Sequence, residues 1–388
     1  MTTSSAFRFL RAAGLGLFLS SLGLNTAAGA VPEKTDVFVS GEGGYHTYRI
    51  PAIVRTEKGT LLAFCEGRKN SGSDTGDIDL LLKRSLDGGR TWSAASVVWD
   101  DGPNTCGNPC PVVDAKTGTV WLLSTHNLGG DKEHAIDSGT SAGGRTVWLF
   151  HSDDDGATWS APREITPDVK DPSWRWYATG PGVGIQIEAG PHAGRLVIPC
   201  DHSVASAEGG ESKNQIRGSH AIYSDDHGRT WQRGAAVQPL YNECQVVELF
   251  DGRGTLLLDM RSYARQGCRA QATSSDGGAT WSAPRDVPAL IEPVCQASIL
   301  RGSGRTILFS NPAHASKRLN LTVRASTDNA ETWPHALVLH PGPTAYSCLV
   351  ALSESEAGCF YENGAKRPYE RLTFARFDLS ALTTDSRQ

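Results

Sequence analysis

Methionine is nearly absent from this 388-residue chain, which has 2, and beyond the first thirty residues no run reaches 18 consecutive apolar residues. That second lack excludes a membrane-spanning helix from the bulk of the sequence. Positive charge is not in excess: 37 Lys and Arg stand against 42 Asp and Glu, a net of −5. A broad basic face for nucleic acid is therefore ruled out. No Cys-x-x-Cys pair or His spacing suggests zinc, so no structural metal is expected. His126, Asp131 and His134 read as loop residues. What the chain has in quantity is Gly (42), Pro (20) and Trp (10), the composition of a turn-rich all-β protein. Its length fits two domains or one large all-β unit.

The N-terminus reads as an address. Arg8 and Arg11 precede a short apolar stretch, Ala12 to Leu24, and Ala28-Gly29-Ala30 supplies a small-residue cleavage site. About 13 apolar residues are too few to cross roughly 30 Å of hydrocarbon. Residues 1–30 are thus expected to be a signal peptide, without a lipid-accepting Cys after it. The mature chain would begin near Val31 and be secreted or periplasmic. Nine cysteines cannot all pair with one another. Cys106 and Cys110 are close enough in sequence to close a small loop, whereas several of the others lie in apolar, strand-like runs.

One octapeptide, Ser-x-Asp-x-Gly-x-Thr-Trp, recurs at Ser85–Trp92, Ser152–Trp159, Ser224–Trp231 and Ser274–Trp281, with a degenerate fifth copy at Ser326–Trp333. Each follows a strand-like run. Ser and Asp can bond the backbone amides of a turn, and Gly supplies the positive φ that other residues resist. Thr is expected to re-enter a strand and Trp to pack beneath the turn. In the fifth copy Ala330 replaces Gly, and Asn329 is expected to carry the left-handed position. The spacing of the copies suits one turn per four-stranded sheet in a radial array that hides strand edges. At roughly 60 residues per sheet the chain makes about six.

These repeats resemble the Asp boxes of the sialidase (neuraminidase) family, and the resemblance implies an all-β, six-bladed β-propeller spanning 31–388. Boxes specify turns and leave chemistry to the residues between them. A sialic acid carries a carboxylate on its anomeric carbon, so cleavage needs a cationic clamp, a proton donor and a nucleophile. A carboxylate nucleophile would meet like-charge repulsion there, about 4 kcal/mol for unit charges roughly 4 Å apart at an effective dielectric near 20. Sialidases use a Tyr instead.

Tyr48-Arg49-Ile50-Pro51 resembles the family segment that supplies the first clamp arginine. Asp259-Met260-Arg261-Ser262 resembles the second, and Phe309-Ser-Asn-Pro…Arg318-Leu-Asn320 the third. The fork of Arg suits a carboxylate better than Lys does. Cys65-Glu66-Gly67-Arg68…Ser73-Asp74 looks like the family's acid loop, which makes Asp74 the general acid and base and puts Arg68 at the sugar pocket. Asp77 and Asp79 are rivals within reach. Gly342-Pro-Thr-Ala-Tyr346-Ser347 resembles the nucleophile segment, Glu243 would be the base for Tyr346, and Glu362 would brace Arg49. Tyr177 is expected at the pocket rim. Leu372–Phe377 alternates as a strand and is expected to close against Val37–Val39, leaving no sequence for an appended lectin domain.

The resemblance therefore implies an exo-α-sialidase that retains configuration, needs no cofactor and acts on sialylated oligosaccharides, glycoproteins or glycolipids. Two alternatives remain open: a non-catalytic propeller that binds sialylated glycans, and a same-fold enzyme making a transfer or anhydro product.

Overall fold

A computed structural model describes residues 1–2, 31–204 and 215–384, so the expected signal segment lies almost wholly outside the described residues. Apart from one parallel bridge, at Ile78 and Thr105, the named strands pair antiparallel. One sheet takes Thr47–Arg55, Leu61–Arg68 and Ile78–Ser85, then passes through that bridge to Thr105–Val113, Val120–Asn127 and Thr146–Ser152. A second is built on Trp174–Thr179, Leu196–Val204 and Ile216–Ser224. A third runs through Tyr241–Glu248, Leu256–Ser262, Cys268–Ser274 and Arg285–Ile291.

The last sheet joins both ends of the chain. Its long strand His335–Ala351 pairs through its first half with Leu319–Ser326 and through its second half with Glu356–Asn363. Arg371–Asp378 then pairs with Glu33–Val39, Phe38 opposite Leu372 and Val39 opposite Arg371, as the alternation of the C-terminal strand predicts.

Four strands share a direction that matters for function. Thr47–Arg55, Thr105–Val113, Tyr241–Glu248 and the second half of His335–Ala351 each contribute first to one polar cavity and then, a few residues on, to a second, more apolar one. Between the two, Ala52, Cys110, Cys244 and Cys348 are buried. The polar cavity is thus floored by packed strand interiors.

All five boxes adopt one geometry. In the first, Ser85 and Thr91 hydroxyls donate to the Asp87 carboxylate, the Thr91 amide does likewise at 2.9 Å, and the Gly89 amide donates to Ser85 Oγ at 2.8 Å. The Thr therefore closes the turn on the Asp and does not re-enter a strand as expected. Two consecutive residues take positive φ in every copy. In the fifth both Asn329 (61°) and Ala330 (65°) do so, which corrects the expectation that Asn329 alone carries the turn. The tryptophans pack as predicted, edge-on to Phe374 for Trp92, to Phe64 for Trp159 and to Phe309 for Trp333.

All nine cysteines are buried and free. Cys106 and Cys110 lie on one strand and enter different apolar clusters, so they do not close the small loop that their spacing suggests.

Candidate active site

Five strands around the polar cavity break register where they reach it: between Arg49 and Ala52, Gly107 and Cys110, Trp174 and Tyr177, Tyr241 and Cys244, and Thr344 and Ser347. An extra residue in a strand re-aims a side chain that strict alternation would send elsewhere. Each break places at least one residue on the wall of the same cavity of about 340 Å³: Ile50 beside Arg49, then Asn108, Trp176, Asn242 with Glu243, and Tyr346. Ile50 and Asn108 hold positive φ, 60° and 52°, to do so.

Tyr346 and its neighbours form one connected group. The Tyr346 hydroxyl donates a short hydrogen bond to Glu243 Oε1. Arg261 Nη1 binds the other Glu243 oxygen at 2.6 Å and lies 3.3 Å from the Tyr346 hydroxyl. Arg49 and Arg318 stand 5.0 and 5.6 Å from the centre of the Tyr346 ring, and Arg318 Nη1 donates to the Tyr369 hydroxyl at 2.6 Å. Fully buried Glu362 accepts from Arg49 Nε at 3.0 Å, from the Ile50 amide at 3.0 Å and from the Tyr346 amide at 3.0 Å. One carboxylate thus fixes the arginine, the bulge beside it and the backbone that carries the phenol.

Burial and the nearby Glu243 charge push the Tyr346 phenol well above its usual range, against the pull of the three arginines. Its proton stays on the oxygen at neutral pH, with Glu243 positioned to take it. Burial works against the charge of Arg49 and Arg261, but Glu362 and Glu243, together with the surrounding phenols and, for Arg49, Asp74, outweigh it and keep both firmly protonated.

Asp74 bridges the other side. Its Oδ1 lies 2.7 Å from Arg68 Nη1 and 3.3 Å from Arg49 Nη1, while 62% of its side chain remains exposed at the loop. Burial of the carboxyl favours protonation, but the Arg68 and Arg49 charges outweigh it and lower the pKa. Arg68 is held in turn by Glu66 at 2.7 Å and by the Gly72 carbonyl at 2.7 Å. The rival acids are engaged elsewhere: Asp77 and Asp79 share Lys69, and Asp79 also accepts from the Tyr45 hydroxyl.

Comparison with known proteins matches the chain to one family. Residues 59–359 match the BNR repeat-like domain. The chain is 37% identical to a sialidase of Micromonospora viridifaciens over 90% of its own length and 54% of that protein's, so it spans about half of that relative. It is 30% identical to mouse sialidase-3 over 89% of this chain and 94% of the other. Among solved structures, Hadza microbial sialidase Hz136 superposes with a TM-score of 0.79 at 32% identity, covering 90% of this chain and 69% of that one. The chain belongs to the sialidase family.

In this sialidase-family protein the cavity gathers Arg49, Arg68, Asp74, Glu243, Arg261, Arg318 and Tyr346, with Glu362 directly behind. Tyr177 is a correction. Its side chain is fully buried, its hydroxyl meets His220 Nε2 at 3.0 Å, and the residue that reaches the cavity is Trp176. The register break before Tyr177 shifts the alternation by one residue. Sequence reading also missed Asn108, Arg145, Asp201 and Glu133, which line the same space. Burial, reinforced by the Glu243 charge, raises the Asp201 carboxyl well above its usual range and so favours its protonated form. Asn108 and Trp176 reach the cavity through the register breaks of their strands, which strict alternation along the sequence does not show.

Proposed function

We propose that the protein is an exo-α-sialidase that releases terminal sialic acids from oligosaccharides, glycoproteins or glycolipids with retention of configuration. The observation that carries this reading is the convergence of Arg49, Arg261 and Arg318 on a phenol already bonded to a carboxylate, with Asp74 across the same cavity. Three forked cations suit one sugar carboxylate. In the first half-reaction the Tyr346 oxygen attacks the anomeric carbon as its proton passes to Glu243. The bond to the aglycone oxygen breaks and Asp74 protonates that oxygen. In the second, Asp74 takes a proton from water, the water oxygen displaces Tyr346 at the same carbon, and Glu243 returns the proton to the phenolate. No step in this scheme calls on a cofactor.

The strand pairings support a ring of six four-stranded blades closed by Arg371–Asp378 against Glu33–Val39. The charge pattern of residues 1–30 supports export, hence a secreted or periplasmic enzyme.

Turnover of a fluorogenic aryl sialoside tests the reading. The wild type should cleave it, and Tyr346→Phe should lose about three orders of magnitude or more in kcat. Full activity in Tyr346→Phe would reassign the nucleophile. A wild type that binds sialylated glycans without cleaving them would make the protein a lectin. Release of an anhydro or transferred sugar would make it a same-fold transferase.

A further inference from the structure

Arg145 is a buried cation in the cavity wall, and its hydrogen-bond partners are all neutral. Its Nε donates to the Tyr177 carbonyl at 2.7 Å, Nη1 to Asn127 Oδ1 at 2.5 Å, and Nη2 to Thr125 Oγ1 at 2.8 Å and to Asn108 Oδ1. Its guanidinium lies 3.9 Å from the centre of the Trp176 ring. Among the described residues no carboxylate pairs with it directly; Glu66 and Glu133 act on it only through space, and burial prevails and pushes its pKa down to about 10. A buried cation without an anionic partner is costly, so its geometry needs an account beyond stability.

Two of the five register breaks are tied together by this one side chain. Asn108 sits in the break of Thr105–Val113 and Trp176 in that of Trp174–Thr179. The Asn108 side-chain oxygen, Oδ1, is taken by Arg145 and, at 3.1 Å, by the Thr125 hydroxyl. Its amide nitrogen is thereby left for the cavity, since the side-chain oxygen and nitrogen lie on opposite sides of the same group. The Asn108 backbone amide donates to Glu66 Oε1 at 2.9 Å and its carbonyl accepts from Thr179 Oγ1 at 2.6 Å, which fixes the main chain. Trp176, stacked on the guanidinium, presents its remaining surface to the same space.

Resting on the sialidase reading, we propose that Arg145 is a positioning residue: it locks the Asn108 amide with its N–H groups toward the cavity and holds the Trp176 ring as a wall. It thereby sets affinity for the part of the sugar remote from the carboxylate, leaving bond cleavage to the Tyr346 side. The clamp comes from other strands, Arg49 from Thr47–Arg55 and Arg261 from Leu256–Ser262, together with Arg318, and the phenol from His335–Ala351. Arg145 bonds neither Tyr346, Glu243 nor a clamp arginine, so the two walls can be mutated separately, and only its charge reaches across to Asp74.

The test measures Kd for free N-acetylneuraminate by calorimetry, alongside kcat and KM on the aryl sialoside. Arg145→Met should weaken binding and raise KM by roughly ten- to hundredfold with kcat changed less than about threefold. Arg145→Lys keeps the charge but not the planar fork and should lose nearly as much. Asn108→Ala should raise KM too, and adding Arg145→Lys to it should cost markedly less than Arg145→Lys alone, because the shared interaction is already gone. Arg145→Lys with wild-type affinity, additive losses, or a fall in kcat matching the rise in KM would each overturn the inference. If the wild type neither binds nor cleaves, the sialidase reading itself falls. If it does so and the Arg145 variants match it, only the positioning role falls.

Discussion

Asp74 carries a tension at the scale of one residue. A general acid must hold a proton, yet the ligand-free Asp74 is an anion lying between Arg68 and Arg49. Arg49 is also one of the three cations placed to receive the sugar carboxylate. When that carboxylate arrives, Asp74 loses part of its attraction to Arg49 and gains a like charge nearby, and both effects favour its protonated form. Its pKa lies below the ordinary carboxyl range when free and rises in the complex, so ligand binding takes up a proton at any pH between those two values. Calorimetry of N-acetylneuraminate binding stepped through the acid pH range, in buffers of different ionisation enthalpy, should show net proton uptake over part of that range. Asp74→Asn should abolish it. Zero uptake by the wild type, or uptake unchanged in Asp74→Asn, would assign the acid elsewhere. Kinetically, Asp74→Ala should slow substrates with poor leaving groups more than activated aryl sialosides, because the aryl oxygen departs without full protonation. Equal losses on both would contradict that role.

At the scale of the strand, the register breaks decide which side chains face the cavity. Gly107 shows how little room one of them has. A Cβ there would stand 2.4 Å from Glu66 Oε1, the oxygen that accepts from the Asn108 amide. Glu66 also holds Arg68, which holds Asp74. The obstructing atom is the end of a flexible side chain, so Gly107→Ala should shift the carboxylate at modest cost to folding. Activity should suffer more, with kcat/KM down about tenfold or more and Tm lowered by only a few degrees. Unchanged kinetics would mean that Glu66 does not transmit to the acid loop. The same breaks explain what the sequence showed and what it hid. Arg49, Arg68, Asp74, Glu243, Arg261, Arg318 and Tyr346 were readable because each sits in a segment of recognisable chemistry. Trp176 and Asn108 were not, since a one-residue register shift is set by pairing with neighbouring strands and leaves no periodic trace in its own strand. Arg145 escaped for another reason. It precedes a strand in a Gly-rich segment, and its importance comes from residues on two other strands.

Across the whole molecule, the boxes join neighbouring parts of the chain as well as shaping turns. The first box, near the N-terminus, packs on the C-terminal strand. Trp92 meets Phe374 edge-on at 5.5 Å, and Gly89, at φ 90°, lies so close that a Cβ would fall 2.1 Å from Phe374 Cε1. Phe374 is fully buried and its strand pairs with Glu33–Val39, so this contact reinforces the junction between the two ends of the chain. Gly89→Ala should therefore destabilise through two separable effects. Left-handed strain contributes about 1–2 kcal/mol, and overlap with the ring adds about 1–3 kcal/mol. Phe374→Ala alone should cost about 3–5 kcal/mol through the lost burial and the cavity left behind. In that background the ring is gone, and Gly89→Ala should cost only the strain component. Chemical denaturation of the four proteins in the cycle would then give less destabilisation for the double variant than the two single variants sum to. Strict additivity would show that the first box does not bear on Phe374, and that pairing of Glu33–Val39 with Arg371–Asp378 holds the ends together without it.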